Sequence, residues 1–379
     1  MNSAPRESYA RLFLRFLRFG LLARGGPVAQ IAMIRQELVE DEGWISRERF
    51  NRALAVYQVL PGPEAHELCV YFGMLARGRL GGILAGLGFM LPGLTFMLAL
   101  SWFYVTYGLA SPLFAATFYG CKPAVAALVV RAAQRLGSHA LTDRWLWGLA
   151  LLAALAQLLA VNFLITLAGC GLAYALIKRQ WPAPAMAWAV IVPAMAAASA
   201  AAPTVWELLG YGLRTGLLTF GGAYTAIPFL RADAVVAGGW MTDAQFLDGL
   251  ALGGILPAPL IIFGTFVGYL GGGLPGALAL TTGIFAPAFA FTLIGHELVE
   301  RLIANRALHA FLDGVTAGVV GLIAITALDL VRAALPDVTA AAIFALALGL
   351  LFGWRSKAAT AAAVLGGGAL GLVLTVAMP

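Results

Sequence analysis

The chain has 379 residues, 61% of them hydrophobic and 11% charged, with a mean hydropathy of +0.89. Soluble domains carry about a quarter charged residues, so this composition excludes a water-soluble fold. The formal charge of +6 comes with no basic cluster interleaved with aromatics, which argues against nucleic acid as a partner and reads instead as a bias of cytoplasmic loops. The apolar runs are about 17–28 residues long, suited to helical spans rather than the alternating ~10-residue strands of a barrel. The expected class is an all-α polytopic membrane protein in a lipid bilayer.

Residues 1–24 carry arginines and an apolar run, but no small-residue cleavage site follows them. Arg11, Arg15 and Arg18 fall at i, i+4 and i+7 on one helix face, with Leu12, Phe13, Phe16 and Leu17 elsewhere around it. This predicts an amphipathic helix at the cytoplasmic surface, leading into the first membrane segment. Apolar segments follow at about 9–34, 50–76, 80–107, 111–134, 145–160 and 162–177, then 185–202, and then 204–230, 246–270, 274–297, 307–331, 336–353 and 357–377. The two short segments 145–160 and 162–177 are either tilted partners or one bent hairpin. Cys69, Cys121 and Cys170 lie in apolar segments without metal-ligand spacing, and read as small core residues.

An internal repeat organises these segments. A shift of 196 residues puts Leu17-Arg18 on Leu213-Arg214, Gly25-Gly26 on Gly221-Gly222, Arg35 on Arg231, Trp44 on Trp240, and Pro61 and Pro63 on Pro257 and Pro259; after a small gap Pro92 falls on Pro287. The expected units are 1–179 and 204–379, joined by 180–203 as a linker with one membrane crossing. The basic connections change phase between the units. Arg77/Arg79, Arg131/Arg135/Arg144 and Lys178/Arg179 mark alternate loops of the first, whereas the equivalent of Arg77/Arg79 is the uncharged Gly271-Gly272-Gly273 and the second unit's basic loops are Arg301/Arg306 and Arg355/Lys357. Positive charge favours the cytoplasmic side, so the second unit is expected upside down. About 12–13 membrane segments result, with a cytoplasmic N-terminus and a periplasmic C-terminus. If the Gly-Gly and Pro-x-Pro segments re-enter instead of crossing, each unit loses two crossings and the inversion survives.

Four breaks interrupt otherwise apolar sequence: Gly25-Gly26-Pro27, Pro61-Gly62-Pro63, Gly221-Gly222-Ala223 and Pro257-Ala258-Pro259. Broken backbone is tolerated at membrane depth only where it is buried in protein or lines a cavity, and paired interruptions in two halves point to a transporter's binding site. Helices restarting there present free N–H groups and positive dipole ends that attract anions. Tetrahedral oxyanions such as sulfate suit four such ends around a pseudo-two-fold axis. A single break of this kind would be read as a packing kink; four in register favour the site.

The candidate binding residues are therefore Arg24, Gly25, Gly26, Pro27, Gln30, Pro61, Gly62, Pro63, Gly221, Gly222, Pro257 and Pro259, with Arg35, Lys122 and Arg231 as further charges. Lys122 is also readable as an interfacial snorkelling lysine, and Arg35 and Arg231 as helix-end anchors. Glu64, His66 and Glu67 follow the first Pro-Gly-Pro, where the second copy has Leu260, Ile261 and Ile262. Glu64 suits a helix start, and any of the three suits a proton carrier, since ionisable residues at membrane depth are functional by default. The acidic and basic residues of 36–52 read as a solvated surface. No nucleotide-binding fingerprint and no catalytic or metal-ligand constellation occurs, so neither an ATP-driven pump nor an enzyme is expected, and no cofactor.

At these motifs the sequence resembles the chromate ion transporter family of bacterial inner-membrane proteins. The resemblance runs through Gly25–Ser46 and Val59–Gly82 in the first unit, and Phe220–Leu230, Gly239–Gly253 and Leu256–Ala277 in the second. It implies a two-domain inner-membrane secondary transporter that exports chromate and confers chromate resistance, with a second copy of the chain as a candidate partner. Two positions depart from the family pattern: Arg24 stands where an aromatic is usual, as Phe220 is in the second copy, and the second Pro-Gly-Pro reads Pro257-Ala258-Pro259. Expelling a dianion from an inside-negative cell gains about 4.6 kcal/mol per 100 mV, which supports a gradient of roughly a thousandfold. Membrane potential therefore suffices to drive efflux, and proton coupling is an addition it does not require. The alternatives are a sulfate or other oxyanion importer or exchanger, and a membrane anion sensor that does not transport.

Overall fold

The computed structural model describes residues 7–23, 26–58, 60–108, 111–179, 202–220, 222–294, 306–354, 356 and 358–377. Arg24, Gly25, Gly221 and residues 180–201, which hold most of the expected linker crossing, lie outside the described residues. The first half contains α1 (Tyr9–Leu22), α2 (Gly26–Arg35), α3 (Arg47–Tyr57), α4 (Glu64–Thr106), α5 (Pro112–Ala140), α6 (Arg144–Leu158) and α7 (Phe163–Ile177). The second contains α8 (Val205–Leu218), α9 (Ala226–Arg231), α10 (Asp243–Ile255), α11 (Phe263–Ile294), α12 (Arg306–Ala334), α13 (Val338–Gly353) and α14 (Ala359–Ala377).

The duplication extends to the helix ends. Helix α1 recurs as α8, shifted by 196 residues at both ends, and the wide π-helical turn Gln36–Asp41 recurs as Ala232–Ala237 at the same shift. The caps repeat too. Ser8 and Thr204 accept from the backbone of α1 and α8, Ser46 and Thr242 from α3 and α10, and Asp143 and Asp337 from α6 and α13. Each satisfies N–H groups that a helix start leaves without an intrahelical acceptor.

The described helices on either side of each Gly-Gly and Pro-x-Pro break fold back on one another as a helical hairpin. Arg15 of α1 reaches Glu37 at 3.1 Å and Glu42 at 2.5 Å, whereas a continuous helix would place Glu42 about 40 Å away. In the second half Tyr211 stacks on Trp240 at 5.7 Å. Across the Pro-Gly-Pro break, Phe50 of α3 stacks on Phe72 of α4 at 6.3 Å and Arg49 donates to the Tyr71 hydroxyl at 3.2 Å. Helix α4 then reverses at Arg77–Gly78, where Gly78 has φ 64°, and its second arm returns so closely that a Cβ on Gly73 would lie 2.4 Å from the Gly81 carbonyl. Helix α11 reverses in the same way at Gly272–Gly273. The sequence boundaries near 77–79 and 271–273 therefore mark reversals within hairpins.

The repeat-equivalent helices α5 and α12 run antiparallel. Tyr119, near the start of α5, donates to Asp337, just beyond the end of α12, at 2.6 Å; Asp143, beyond the end of α5, interacts electrostatically with Asp313 in the first turns of α12. Equivalent elements pointing opposite ways are the signature of inverted topology. The halves also exchange their last hairpins: α13 and α14 pack on α5, while α6 and α7 pack on α12. Small residues allow this approach, with Gly120 and Gly367 meeting backbone to backbone.

Glu64–Thr106, Pro112–Ala140, Leu260–Ile294 and Ala307–Ala334 are apolar helical stretches long enough to cross a membrane, although the first and third contain the reversals. Leu151, Leu155 and Leu346 project outward, and Trp102, Trp145, Trp206 and Trp354 are exposed near helix ends. That is the distribution of a lipid-facing surface with interfacial aromatics. The chain is a multi-pass membrane protein.

Candidate functional site

The apexes of the two halves meet. The Gly62 N–H donates to the Thr219 carbonyl at 2.9 Å, joining the Pro-Gly-Pro break of the first half to the end of α8 just before the Gly-Gly break of the second. The single turns Ala223–Thr225 and Leu260–Ile262, which follow the two breaks of the second half, pack on each other. Pro63 and its equivalent Pro259 occupy the cap positions before α4 and before Leu260–Ile262. The first N–H groups after each cap have no intrahelical acceptor by helix geometry, so several donor ends converge on one region.

Two backbone positions depend on glycine. Gly62 has φ 150° and Gly222 has φ 114°, a region that side chains with a Cβ rarely adopt. A Cβ on Gly62 would also lie 3.1 Å from both the Ala288 methyl and a Glu67 carboxylate oxygen. The equivalent contact in the other half is Ala258 against Gly93, where a Cβ on Gly93 would approach the Ala258 methyl to 2.5 Å. Each crossing thus has room for one methyl, supplied by the helix in one half and by the apex in the other. This accounts for alanine in Pro257-Ala258-Pro259.

The charges at this junction belong to the first half. Glu64 opens α4 half-buried, and Arg135 of α5 is exposed and close enough to act electrostatically on both Glu64 and Tyr224. Behind Glu64, His66 and Glu67 are fully buried. The His66 ring meets Phe285 and Phe289 of α11 edge-on at 5.0 and 4.7 Å. No hydrogen-bond partner among the described residues reaches either Glu67 oxygen.

The remaining sequence candidates fall in different places. Gln30 is buried and donates from Nε2 to the Ala23 carbonyl at 3.0 Å, so it closes the end of α1 across the first break; Gly26 and Pro27 begin α2 beside it. Arg35 lies away from the apex, paired with Glu40 at 3.1 Å and over the Phe50 ring at 5.8 Å. Glu40, at the end of the π-helical turn, is held below its ordinary carboxylate range first by Arg47 and then by Arg35. Arg231 is buried between Asp243, which it grips at 2.7 and 3.1 Å, and Asp329 at 3.1 Å. Both arginines are anchored at hairpin bases by carboxylates. Lys122 lies 3.6 Å from Asp248, whose other oxygen accepts from the Tyr104 hydroxyl at 2.8 Å.

Arg135, Tyr224, Tyr104 and Asp248 are the site-region residues missed by the sequence reading. Asp248 had a usable signal, being a lone carboxylate in an apolar run. Arg135 reads in the sequence only as a loop charge. Tyr224 carries no sequence signal, because its position follows from how the turn after Gly222 is aimed.

The chromate transporter family model matches residues 10–175 and again 206–372. A protein of Pseudomonas aeruginosa named chromate transport protein is 54% identical over 97% of this chain and 92% of its own length. A chromate transport protein of Cupriavidus metallidurans is 30% identical over 98% of this chain and 95% of its own length, and a probable chromate transport protein of Synechococcus elongatus is 32% identical over 88% and 87%. No solved structure matches the chain. With two family matches, one on each inverted half, the chain belongs to the chromate transporter family.

Proposed function

We propose that the protein exports chromate across the bacterial inner membrane and so confers chromate resistance, using the junction of the hairpin apexes as its oxyanion site. The observation that carries this reading is the Gly62–Thr219 hydrogen bond. It joins breaks from oppositely oriented halves, so backbone donors from both face one region, as in transporters with inverted repeats. The substrate follows the names of the relatives. On this reading the units are 1–179 and 204–379, joined by 180–203, and the hairpins re-enter the membrane from opposite sides. The N-terminus is cytoplasmic and the C-terminus periplasmic.

Arg135 and the free N–H groups after Pro63, Gly222 and Pro259 receive the dianion, with the Gly26 N–H and the N–H groups that follow Pro27 completing the set from the first break. Arg35 and Arg231 are already neutralised by carboxylates and serve as anchors. Potential drives the export, since the two charges gain about 4.6 kcal/mol per 100 mV when they leave an inside-negative cell.

Inverted inner-membrane vesicles containing the protein test this, with a potential of physiological polarity imposed and sulfate as competitor. Potential-dependent chromate accumulation, lost in Gly62→Val, is the expected result. Accumulation only in right-side-out vesicles would make the protein an importer. Chromate binding to purified protein without flux in either orientation would make it a sensor.

A further inference from the structure

Two acidic groups follow the first Pro-Gly-Pro break, and their surroundings differ. Glu64 is half-buried and within electrostatic reach of Arg135. Glu67, one turn further along α4, is fully buried, and neither of its oxygens has a hydrogen-bond partner among the described residues. Its carboxylate lies against Gly62, the residue whose N–H donates across the junction of the two halves to Thr219. Among the described residues, no lysine or arginine pairs with Glu67. On its own helix are Glu64 and His66, whose ring is enclosed by Phe285 and Phe289 of α11; Gly62, beside the Glu67 carboxylate, also faces Ala288 of α11 and donates to the Thr219 carbonyl at the end of α8. Arg135, from α5, acts on Glu64, and the charged group that acts on Glu67 is Glu64 itself.

An ionised carboxylate without a countercharge costs several kcal/mol to bury, and a buried polar group without a partner is also costly. A position that keeps such a group therefore has a use for it, and in a membrane transporter that use is ion or proton traffic. The second half has no counterpart: Phe263 stands at the position equivalent to Glu67, and Leu260 at that of Glu64. The acid is present in one half only of a symmetric scaffold.

We propose that Glu67 is a proton-binding site, occupied in the conformation seen here and emptied when the halves separate around Gly62. Resting on the transport reading above, this couples the movement of one proton to the conformational change that carries the oxyanion. Opening the Gly62–Thr219 junction brings water to the carboxyl; its O–H bond breaks, the proton passes to water, and the carboxylate is solvated. Closing the junction requires the proton to return. Glu64, partly exposed beside it, lies on the route between Glu67 and solvent.

Two measurements test the proposal. The first is the infrared carbonyl band of protonated carboxylic acid in purified protein, at a pH where exposed carboxylates are ionised. The expected result is a component lost in Glu67→Gln and retained, shifted in frequency, in Glu67→Asp; an unchanged band in Glu67→Gln overturns the proposal. This readout does not depend on flux, so it stands even if the vesicle experiment contradicts transport. The second is potential-driven chromate flux as a function of pH in proteoliposomes. Wild-type flux is expected to change by up to about tenfold per pH unit, as one titrating group dictates, and Glu67→Gln is expected to flatten that profile. A wild-type profile that is already flat, or one that Glu67→Gln leaves unchanged, overturns the coupling.

Discussion

The two halves share a backbone plan and differ in where they place charge. Arg18 of α1 pairs with Glu37, and at the same positions in the second half Arg214 of α8 pairs with Asp233. The first pair is open to solvent, with the Arg18 side chain 55% exposed; in the second, both side chains are 5% exposed. Arg214 lies between the Tyr211 and Phe163 rings, each 5.2 Å away, and Phe163 arrives on the hairpin that the first half contributes to the second. The same ion pair is thus a surface feature in one copy and an internal tie in the other. The apexes differ in the opposite sense, with Glu64, His66 and Glu67 in the first half facing the hydrocarbon side chains of the second. The two halves share geometry and differ in how they distribute charge.

Replacing one member of the buried pair is the severest way to break this comparison. Arg214→Ala leaves Asp233 buried without its cation and is expected to cost about 3–5 kcal/mol, read as a loss of thermal stability in detergent. Replacing both residues by leucine is expected to recover most of that loss, because two apolar groups need no countercharge. A double variant as unstable as the single one would show that the position matters for something other than charge pairing.

Next in size is Tyr104→Phe, which removes a hydrogen bond to the Asp248 carboxylate between the halves. Bonds to charged groups contribute about 1.5–3 kcal/mol, and the loss is measurable by the same unfolding assay. A variant with unchanged stability would show that Lys122 alone holds Asp248.

The helix caps should respond to acid. Asp143 is partly desolvated, which opposes ionisation, but the N–H groups of Leu146 and Trp145, the Tyr174 hydroxyl and Lys178 outweigh this and lower it from 3.8 to about 2. A depressed carboxylate stabilises the fold fully above its unfolded value and loses that contribution as pH falls through its folded value. The contribution of Asp143 should therefore be intact above about pH 4 and fade towards pH 2. Asp143→Ala is expected to cost about 1 kcal/mol at neutral pH and to remove this part of the acid sensitivity. Equal acid sensitivity in the variant would assign the effect to other groups.

Arg18→Ala is expected to have the smallest effect. An exposed ion pair contributes about 0–1 kcal/mol, so the variant should unfold close to wild type. A loss matching that of Arg214→Ala would contradict the distinction between the two copies.

The duplication was legible because glycine, proline and aromatic residues recur at one offset; the helix ends within 204–230 and the turn after Arg231 came only with the fold. The inversion was legible in loop charges, since Arg77/Arg79 has no charged equivalent at 271–273. The hairpins themselves were harder to read. Gly25-Gly26 and Pro61-Gly62-Pro63 announce that a helix stops, but whether the next one continues or folds back depends on tertiary partners such as Glu37 and Glu42 for Arg15. The pairing of Arg214 with Asp233 was hidden for the same reason, being set by hairpin register. Lys122, Arg35 and Arg231 were legible as unusual charges; Arg35 meets Glu40 in the turn that follows it, while Asp248 and Asp329 reach Lys122 and Arg231 only through the fold.

Cysteine protection at the apexes tests the location of the oxyanion site most directly. In a background with Cys69, Cys121 and Cys170 replaced by alanine, Tyr224→Cys places one thiol beside the converging breaks, and Arg52→Cys places a control on the exposed face of α3. Chromate also oxidises thiols, so only the loss of labelling that is reversed when chromate is washed out counts as protection, with free thiol titrated after exposure. That reversible protection by chromate from a water-soluble thiol reagent should rise with concentration for Tyr224→Cys and be absent for Arg52→Cys. Chromate binding that reversibly protects neither thiol would place the site away from the apexes and contradict the account.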